Sequence, residues 1–432
     1  MTQTAVEVGG QPPDAVRFFA QEGSFLYALP SELAGWGSVE QSSGRARVLM
    51  VRNKGTASLG VVMAEAEIRV STARPDYNAL QLTNAATALQ RQIAWARQKS
   101  DSSPLALAER LPRRTLRSRA LRIVRRASEA FESYLRPKRL QWTIGILEGW
   151  DIAAGGDVPW ERIKWLKPPA DGFIADPFLV KEGERLWLFY EQLAFAENLG
   201  TLCVAPFDPV SCSIGPSTEI LRSKYHLSFP NVFSDGNHWY MLPEEAKSGT
   251  TSLYRAFDFP YRWERARELL PGFPGIDPVL HFHDGRWWLF ATHGMHPCNE
   301  NNLHLFSAPA LDAEFVAHPM SPVATGLHGS RMAGRLVQRG DELFRFGQDG
   351  REGYGRGMVL FKITCLTETH YSEAHVRTWT PSPREPWGDG FHTYTECRGV
   401  TVVDGQRVIP GKRKSLGEIL SRLASAFRKG HA

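Results

Sequence analysis

Carboxylates occupy two recurring positions in the second half of the chain. Asp176 and Asp277 each stand before a proline near the start of an apolar segment, and Glu191 and Glu244 each end an aromatic segment. Sugar hydrolysis and sugar transfer use paired carboxylates, one as base or nucleophile and one as the acid that protonates the leaving oxygen. These four carboxylates are therefore candidates for chemistry on a carbohydrate.

Other polar side chains share these positions. Arginines and carboxylates bind sugar hydroxyls and phosphates through paired hydrogen bonds, and a buried charge is costly unless it is paired or solvated. The further substrate-binding candidates are Asn231, Arg331, Arg335 and Arg398 near segment starts, His293, Gln348 and Asp349 at segment ends, and Arg356 in a glycine-rich loop. The alternative for any one of them is structural, with aspartates capping turns and arginines pairing with them.

From about residue 140 the segments that carry these residues repeat one plan. Each has an apolar strand, a turn with glycine beside a polar residue, and an aromatic strand, which together are a strong hairpin signal. The five turn glycines are Gly183, Gly236, Gly285, Gly340 and Gly405, spaced 49 to 65 residues apart. A period of about 50 residues with two hairpins in each unit is typical of four-stranded blades around an axis. We therefore predict a mainly β chain with a five-bladed β-propeller over residues 140–410.

Propeller geometry predicts where the polar candidates meet. The first strand of each blade lines the central channel, and the second strand returns to the end where the first one begins. We therefore expect both sets of candidates to converge on one mouth of the channel.

The rest of the chain divides by composition. Residues 1–99 mix short β-like runs with a helical apolar stripe, which predicts a small α/β unit. Residues 100–139 form a linker with eight arginines between positions 110 and 126, and residues 411–432 form a basic tail. Both basic segments have the pattern of an amphipathic helix, which suits an anionic membrane surface (residues 110–126 and 412–429), a partner groove, or packing on the propeller.

The composition excludes several classes of protein. A net charge of +5, with no aromatic platform beside the arginine run, argues against a nucleic-acid partner. The five cysteines lack CxxC spacing, so we expect neither a disulfide framework nor a zinc site. No secretory signal and no apolar run of about 18 residues are present, so we expect a cytoplasmic location, extended by peripheral attachment at the inner membrane face.

Several ordered motifs resemble a known family. The segments DPFLVKEGERLWLFYE, LSFPNVFSDGNHWYMLPE and FRFGQDGREGYGRGMVLFKI are similar to the N-terminal propeller domain of plant glucosamine inositolphosphorylceramide transferases. The resemblance covers about residues 140–410. It implies a five-bladed propeller within a glycosyltransferase family whose transfer activity is assigned to a separate C-terminal domain.

The same domain also resembles five-bladed glycosidases of the arabinanase and xylosidase type. That likeness implies Asp176 as the base, Asp277 as an orienting carboxylate and Glu244 as the acid. The other residues considered for the acid are Glu191 and Glu245. The likeness also implies that His392 lines the axis, where some such glycosidases place a metal-associated histidine, so it leaves open a divalent metal near the axis.

The N-terminal region has a weaker resemblance. Residues 45–99 have the order of strand, strand and helix found at the end of a formyltransferase catalytic domain. The chemistry of that family uses an Asn–His–Asp set, and the first half of this chain has no histidine. The resemblance therefore implies a truncated remnant with a structural or docking role.

Two functions remain open from the sequence. The first is a glycan-active enzyme, a glycosyltransferase or related glycoside-processing enzyme that acts on a lipid-linked or surface polysaccharide. The second is a non-catalytic carbohydrate-binding or scaffold propeller that recruits another enzyme. Either function requires a carbohydrate or sugar-nucleotide ligand, and the geometry of the carboxylates at the mouth distinguishes them.

Overall fold

The computed structural model describes residues 138–294 and 302–411 with their side chains, the backbone of five N-terminal strands, and Ala85 and Ala88. β1 (Arg17–Gln21) and β2 (Ser24–Ala28) form a hairpin, and β3 (Ala34–Glu40), β4 (Arg45–Asn53) and β5 (Gly60–Arg69) form an antiparallel sheet. β4 and β5 coincide with two runs that the sequence predicts as strands. The predicted helices of the linker and the tail lie outside the described residues, and the N-terminal likeness and the domain boundaries stay predictions.

Five antiparallel sheets follow, each of four or five strands. The two strands that precede blade 1 are β6 (Lys138–Glu148) and β7 (Lys164–Trp165). The strands of blade 1 are β8 (Gly172–Glu182), β9 (Arg185–Ala194), β10 (Leu199–Asp208), β11 (Ser213–Ile214) and β12 (Thr218–Leu221). Those of blade 2 are β13 (Ser228–Ser234), β14 (Trp239–Glu244), β15 (Thr251–Asp258) and β16 (Arg262–Leu270). Those of blade 3 are β17 (Gly275–His283), β18 (Arg286–His293), β19 (Asn302–Ala308), β20 (Val316–Ala317) and β21 (Ala324–Thr325). Those of blade 4 are β22 (His328–Met332), β23 (Val337–Arg339), β24 (Glu342–Asp349), β25 (Gly357–Leu366) and β26 (Tyr371–Trp379).

Blade 5 closes the ring from both ends of the propeller segment. Its strands β27 (Tyr394–Cys397) and β28 (Val400–Pro410) pair with β6 and β7 in the order β27-β28-β6-β7. The first strands β8, β13, β17 and β22 contact one another in succession, and β27 contacts β8. A bridge from Gly334 to Tyr394 links blade 4 to blade 5, so the five first strands surround the channel. Closure leaves no blade edge unpaired at the seam, and the predicted five-bladed propeller is confirmed.

Helical structure is sparse in the described part of the chain from residue 138 onward. Three short 3₁₀ helices occur there, Ile152–Ala154, Trp160–Arg162 and Ala246–Ser248. No described helix has the length and apolar character needed to cross a bilayer.

Glycines close the hairpins between the first and second strands of the blades. Gly183, Gly236, Gly285 and Gly340 adopt φ values from 54° to 99° at these turns, as the repeat predicts. The fifth expectation, a turn at Gly405, is wrong: Gly405 lies inside β28, and the turn is at Gly399, with φ 74°. Gly405 is constrained by packing instead, because a Cβ there would lie 2.5 Å from the ring of Trp165.

A bulge interrupts the first strand of blades 1, 2 and 3. Asp176, Phe229 and Asp277 have φ values of 51°, 48° and 45°, each stands before a proline, and the pairing register shifts across each of them. Such a conformation costs about 1 kcal/mol or more for a residue with a Cβ, so packing must hold it. The equivalent of the two aspartates in blade 2 is therefore Phe229. The sequence predicts that Asn231 shares the position of the two aspartates. This prediction is wrong, because Asn231 lies two residues further along the strand.

Aromatic and aliphatic side chains fill the space between neighbouring blades. Phe178 of blade 1 packs edge-to-face on Phe229 of blade 2, with ring centroids 4.9 Å apart. Val279 and Met332 of blades 3 and 4 belong to the same fully buried cluster. Each such side chain contributes about 1.5–3 kcal/mol by leaving water, so the bulges are held by the core beside them.

Candidate functional site

Six candidates meet at the channel end where the first strands begin. Asp176 and Asp277 lie on the bulges of β8 and β17, Arg331 lies on β22, and His392 lies just before β27. Glu244 and Gln348 arrive at the ends of the second strands β14 and β24. We call these six residues, with Asp404 of β28, the carboxylate cluster.

Arg331 connects two carboxylates of this cluster. Its Nε donates to Asp277 Oδ2 at 2.5 Å and its Nη2 to Asp277 Oδ1 at 3.3 Å. Nη2 also lies 3.5 Å from Glu244 Oε2. The Gln348 amide donates to Asp277 Oδ2 at 2.7 Å, and the guanidinium lies 4.9 Å from the ring centroid of Tyr354. Asp277 is thus fully engaged, whereas Glu244 is held more loosely.

Asp176 is fixed by neighbours from blades 2 and 5. Its Oδ1 accepts from the Thr393 hydroxyl at 2.8 Å, and its Oδ2 accepts from the Phe229 amide at 3.2 Å. The Asp176 amide itself donates to Asp404 Oδ2 at 3.3 Å. His392 Nε2 lies 3.7 Å from Asp176 Oδ1. The bulge therefore points this carboxylate toward the histidine.

His392 is held on three sides. Its Nδ1 lies 2.7 Å from Asp404 Oδ2, and its ring stacks on Trp142 with centroids 4.0 Å apart. Nε2 lies 3.2 Å from the hydroxyl of Tyr354, whose ring stands nearly perpendicular to the imidazole. Tyr354 keeps 43% of its surface exposed, so it forms the accessible edge of the cluster.

Burial and crowding of like charges shift the protonation of the cluster. Burial raises the pKa of Asp176 to about 7, and nearby Glu191 and Asp277 add to this while His392 opposes it. Burial and the neighbouring Asp277 carboxylate also raise the pKa of Glu244 well above its usual range. Burial acts to lower the pKa of His392, but Asp404 outweighs it and raises that pKa to about 8. Near neutral pH the cluster therefore combines a cationic histidine with carboxyl groups that retain protons.

The other carboxylate candidates at the ends of second strands, Glu191 and Asp349, each have a charged or ionisable partner outside the cluster. Glu191 Oε1 lies 3.1 Å from His226 Nε2, whose ring accepts from the Gly200 amide through Nδ1 at 3.0 Å. Asp349 forms an ion pair with Arg351 at 2.8 Å. His293 lies one residue out of register with Glu191 and Glu244.

The counterpart of Glu191 and Glu244 in blade 3 is Thr292, because Thr292 pairs with Ile276 as Glu191 pairs with Ala175. His293 is one residue further along, so its side chain lies on the opposite face of the sheet. There it packs against Phe273, with ring centroids 4.6 Å apart.

The remaining candidates lie away from the cluster. Arg398 sits in the β27–β28 turn, at the far end of the strand, and pairs with exposed Glu184 at 2.9 Å. Arg356 donates to the Gly388 carbonyl at 2.6 Å. Arg335 and Asn231 line a cavity of about 420 Å³ at the channel end where the first strands finish. The expectation of a single mouth for all candidates is therefore wrong, because strand polarity separates residues only a few positions apart.

Four residues of this site are absent from the sequence prediction. Asp404 lies on β28 and Trp142 on β6, and the pairing of these two strands closes the ring. The sequence predicts a turn at Gly405, which places the neighbouring Asp404 in that turn instead of at the site. Thr393 and Tyr354 stand in or beside loops, without a repeated position to mark them. Asp404 lies five residues after its turn glycine Gly399, whereas Glu191 and Glu244 each lie eight residues after theirs, so the repeat carries no signal that marks Asp404.

Asp176, His392 and Asp404 are close enough together to be tested as a metal site. Their ligand atoms all lie within 4.8 Å of one another. However, Nδ1 of His392 is already bound by Asp404, both oxygens of Asp176 accept protein hydrogen bonds, and Asp404 also accepts from two backbone amides. Each ligand atom has a protein partner, so hydrogen bonds within the protein account for the arrangement of the triad.

Comparisons with known proteins agree with this architecture. Rice (Oryza sativa subsp. indica) glucosamine inositolphosphorylceramide transferase 1 is 33% identical over 265 residues, covering 56% of this chain and 35% of that protein. The Arabidopsis thaliana protein of the same name is 27% identical over 262 residues, covering 59% and 34%. The chain thus spans about a third of the length of these curated relatives.

Solved structures show weaker likeness. The catalytic domain of Coprinopsis cinerea GH62 alpha-L-arabinofuranosidase has a TM-score of 0.41 and 13% identity, covering 59% of this chain and 83% of that one. A family 117 glycoside hydrolase of Zobellia galactanivorans has a TM-score of 0.40 and 12% identity, covering 61% and 90%.

A family model for the N-terminal part of glucosamine inositolphosphorylceramide transferase 1 matches residues 167–388. This match runs from just before β8 to just before β27, so it contains blades 1 to 4 and most of the carboxylate cluster. Because the match spans just over half of the 432 residues, the chain belongs to the family of glucosamine inositolphosphorylceramide transferase 1 N-terminal domains.

Proposed function

We propose that the chain takes part in the transfer of a sugar to a lipid-linked or surface glycan, and that the carboxylate cluster holds the reacting sugar. The observation that carries this proposal is the pair of a buried Asp176 and a partly buried Glu244, whose pKa values are both raised. Carboxyl groups tuned toward neutral pH suit proton transfer during glycosidic bond chemistry. The names of the relatives point to glucosamine as the sugar and inositolphosphorylceramide as the acceptor.

The roles follow from the contacts of each residue. Asp176 accepts the proton of the acceptor hydroxyl while that oxygen bonds to the anomeric carbon. Glu244 delivers a proton to the departing oxygen, and Asp277 orients Glu244 through the shared Arg331 guanidinium. Tyr354 offers its exposed edge to the sugar beside the arginine.

Location and lipid access follow from the same proposal. A lipid-linked acceptor requires the protein at a membrane surface, and the basic segments 110–126 and 412–429 supply the charge for such contact. The protein would then act at the cytoplasmic face, with a sugar nucleotide as donor.

The test uses the whole chain with a labelled sugar-nucleotide donor and inositolphosphorylceramide in vesicles. Asp176→Asn and Glu244→Gln are expected to lower turnover about a hundredfold or more, the usual contribution of a general acid or base. Glu184→Gln is the matched control, because Glu184 is an ion-paired carboxylate on the surface, 84% exposed. Full turnover in both cluster variants would refute the catalytic roles.

A specific observation favours a second function, carbohydrate recognition without turnover. Arg331 already engages Asp277 and approaches Glu244, which is how a binding or structural ion pair is arranged. Saturable binding of the glycan to the wild type, with no product formed, would establish this second function and exclude the first.

A further inference from the structure

The channel has a second polar feature at its opposite end. There the first strands of the blades finish, and residues from all five blades surround a cavity of about 420 Å³. Such a volume suits a small organic ligand. This cavity, which we call the Arg335 cavity, is separate from the carboxylate cluster and from the function proposed for it.

Arg335 carries an uncompensated charge in the wall of this cavity. Its Nη1 donates to the Leu179 carbonyl at 3.3 Å, and its Nη2 donates to the Val232 carbonyl. Its Nε has no hydrogen-bond partner among the described residues. No described carboxylate pairs with it or lines the cavity, and burial lowers its pKa to about 10. A guanidinium in such surroundings is stabilised by an anion.

Asn231 is a second, independent observation. It is fully buried in the same wall, and neither its amide nitrogen nor its amide oxygen has a hydrogen-bond partner in the described residues. An unsatisfied buried amide costs about 1–3 kcal/mol. In blades 1 and 3 the equivalent positions are Phe178 and Val279, so this strand position does not require a polar residue.

We propose that the Arg335 cavity binds a small organic monocarboxylate with an apolar body. The guanidinium would meet the carboxylate, and the Asn231 amide, which has no accessible surface, would rotate into the cavity to supply or accept a further hydrogen bond.

The charge of the cavity wall and the apolar side chains in it favour this class of ligand. Among the described residues that line the cavity, Arg335 is the one cation without a carboxylate partner. Lys181 lies 3.8 Å from Glu184, and burial, with His283 nearby, lowers the pKa of His281 to about 4, so His281 is neutral at pH 7. A single positive charge matches a monoanion better than a phosphate dianion. The walls include Trp239, Trp287 and Phe282, which suit an aromatic or aliphatic body rather than a hydroxylated one.

The binding test uses isothermal titration of the full chain at pH 7 with three probes. Phenylacetate has the predicted charge and body, glucuronate has the carboxylate on a sugar, and phenylacetamide is the neutral match to phenylacetate. Saturable binding of phenylacetate, with phenylacetamide at least tenfold weaker, is expected. If glucuronate bound more tightly than phenylacetate, the ligand would still be a carboxylate, but the proposal that its body is apolar would be wrong. No saturable binding of either acid at millimolar concentration would overturn the proposal.

Two variants locate the bound anion. Arg335→Gln should weaken phenylacetate at least tenfold, and Arg222→Gln, which alters an exposed arginine paired with Glu197 and Glu219, should not. Asn231→Asp places a carboxylate in the same wall, so it should abolish binding while the thermal midpoint stays the same or rises. Unchanged binding in either cavity variant would refute the site, as would a strong loss of stability in Asn231→Asp. Turnover at the carboxylate cluster is measured in parallel, so failure of one proposal is distinguishable from failure of the other.

Discussion

Two arginines four residues apart in blade 4, Arg331 on β22 and Arg335 just after it, meet opposite surroundings. Arg331 contacts Asp277 and Glu244, with the Tyr354 ring beside it, at the end where the first strands begin. Arg335 contacts two backbone carbonyls and the Phe178 ring at the end where they finish. The same residue type therefore neutralises an excess of carboxylates at one mouth and leaves a positive charge at the other.

The difference shows how a propeller separates charge along its axis. The bulges on β8 and β17 and the ends of the second strands bring carboxylates to one mouth, whereas no described carboxylate lines the Arg335 cavity at the other. The opposite mouth is formed by the last residues of the first strands, which are mainly apolar. A ligand that enters one mouth thus meets charges unlike those at the other.

The largest expected effect is the loss of stability when Arg331, the paired arginine, is replaced. Arg331→Leu leaves Asp277, which is 2% exposed, and Glu244 without their cation. Breaking a buried ion pair from one side costs about 3–5 kcal/mol, and we expect this loss in the free energy of unfolding by urea at pH 7.

The control is Arg222→Leu, which removes an exposed arginine from its ion pairs. Exposed pairs are worth about 0–1 kcal/mol. Equal losses in the two variants would mean that the carboxylate cluster is no more dependent on its cation than the surface is.

The second prediction concerns the glycine that lies between the two arginines. Gly334 has φ 137°, and a Cβ there would lie 2.0 Å from the Tyr394 carbonyl oxygen of blade 5. Gly334→Ala should therefore lower the free energy of unfolding by about 3 kcal/mol, through strain and the backbone clash.

Gly340→Ala is the matched control, since Gly340 also has positive φ but no atom within 4 Å of the added Cβ. It should cost about 1 kcal/mol. Equal losses in the free energy of unfolding of the two variants would mean that the close approach of blades 4 and 5 does not determine the backbone path between Arg331 and Arg335.

The sequence predicts the blades better than the positions within them. Hairpin turns are local, so Gly183, Gly236, Gly285 and Gly340 are recognisable from their neighbours. Ring closure is not local, because β6 pairs with β28 across the whole propeller. For this reason the sequence predicts a turn at Gly405 that the structure lacks, and Asp404 is absent from the prediction.

Register is the second limit on the prediction. The aspartates of blades 1 and 3 each precede a proline, whereas Asn231 of blade 2 follows one. The prolines align the three bulges, so Phe229, two residues before Asn231, holds the aspartate position. His293 is likewise one residue past Thr292, and one residue is enough to change the face of a strand.

The smallest expected effect is the pH dependence that His392 gives the carboxylate cluster between pH 6 and pH 9. The pKa of His392 is raised from 6.5 to about 8 in the folded protein, because Asp404 outweighs the effect of burial. A raised pKa stabilises the fold fully below pH 6.5, and this stabilisation is lost as the pH rises through 8. One pKa unit corresponds to about 1.4 kcal/mol, so the free energy of unfolding of the wild type should exceed that of His392→Gln by about 2 kcal/mol more at pH 6 than at pH 9. His238→Gln, on an exposed turn, is the control and should show no such change. A constant difference between wild type and His392→Gln across this range would mean that Asp404 does not hold a proton on the histidine, and the electrostatic contrast between the two mouths would then rest on Arg331 and Arg335 alone.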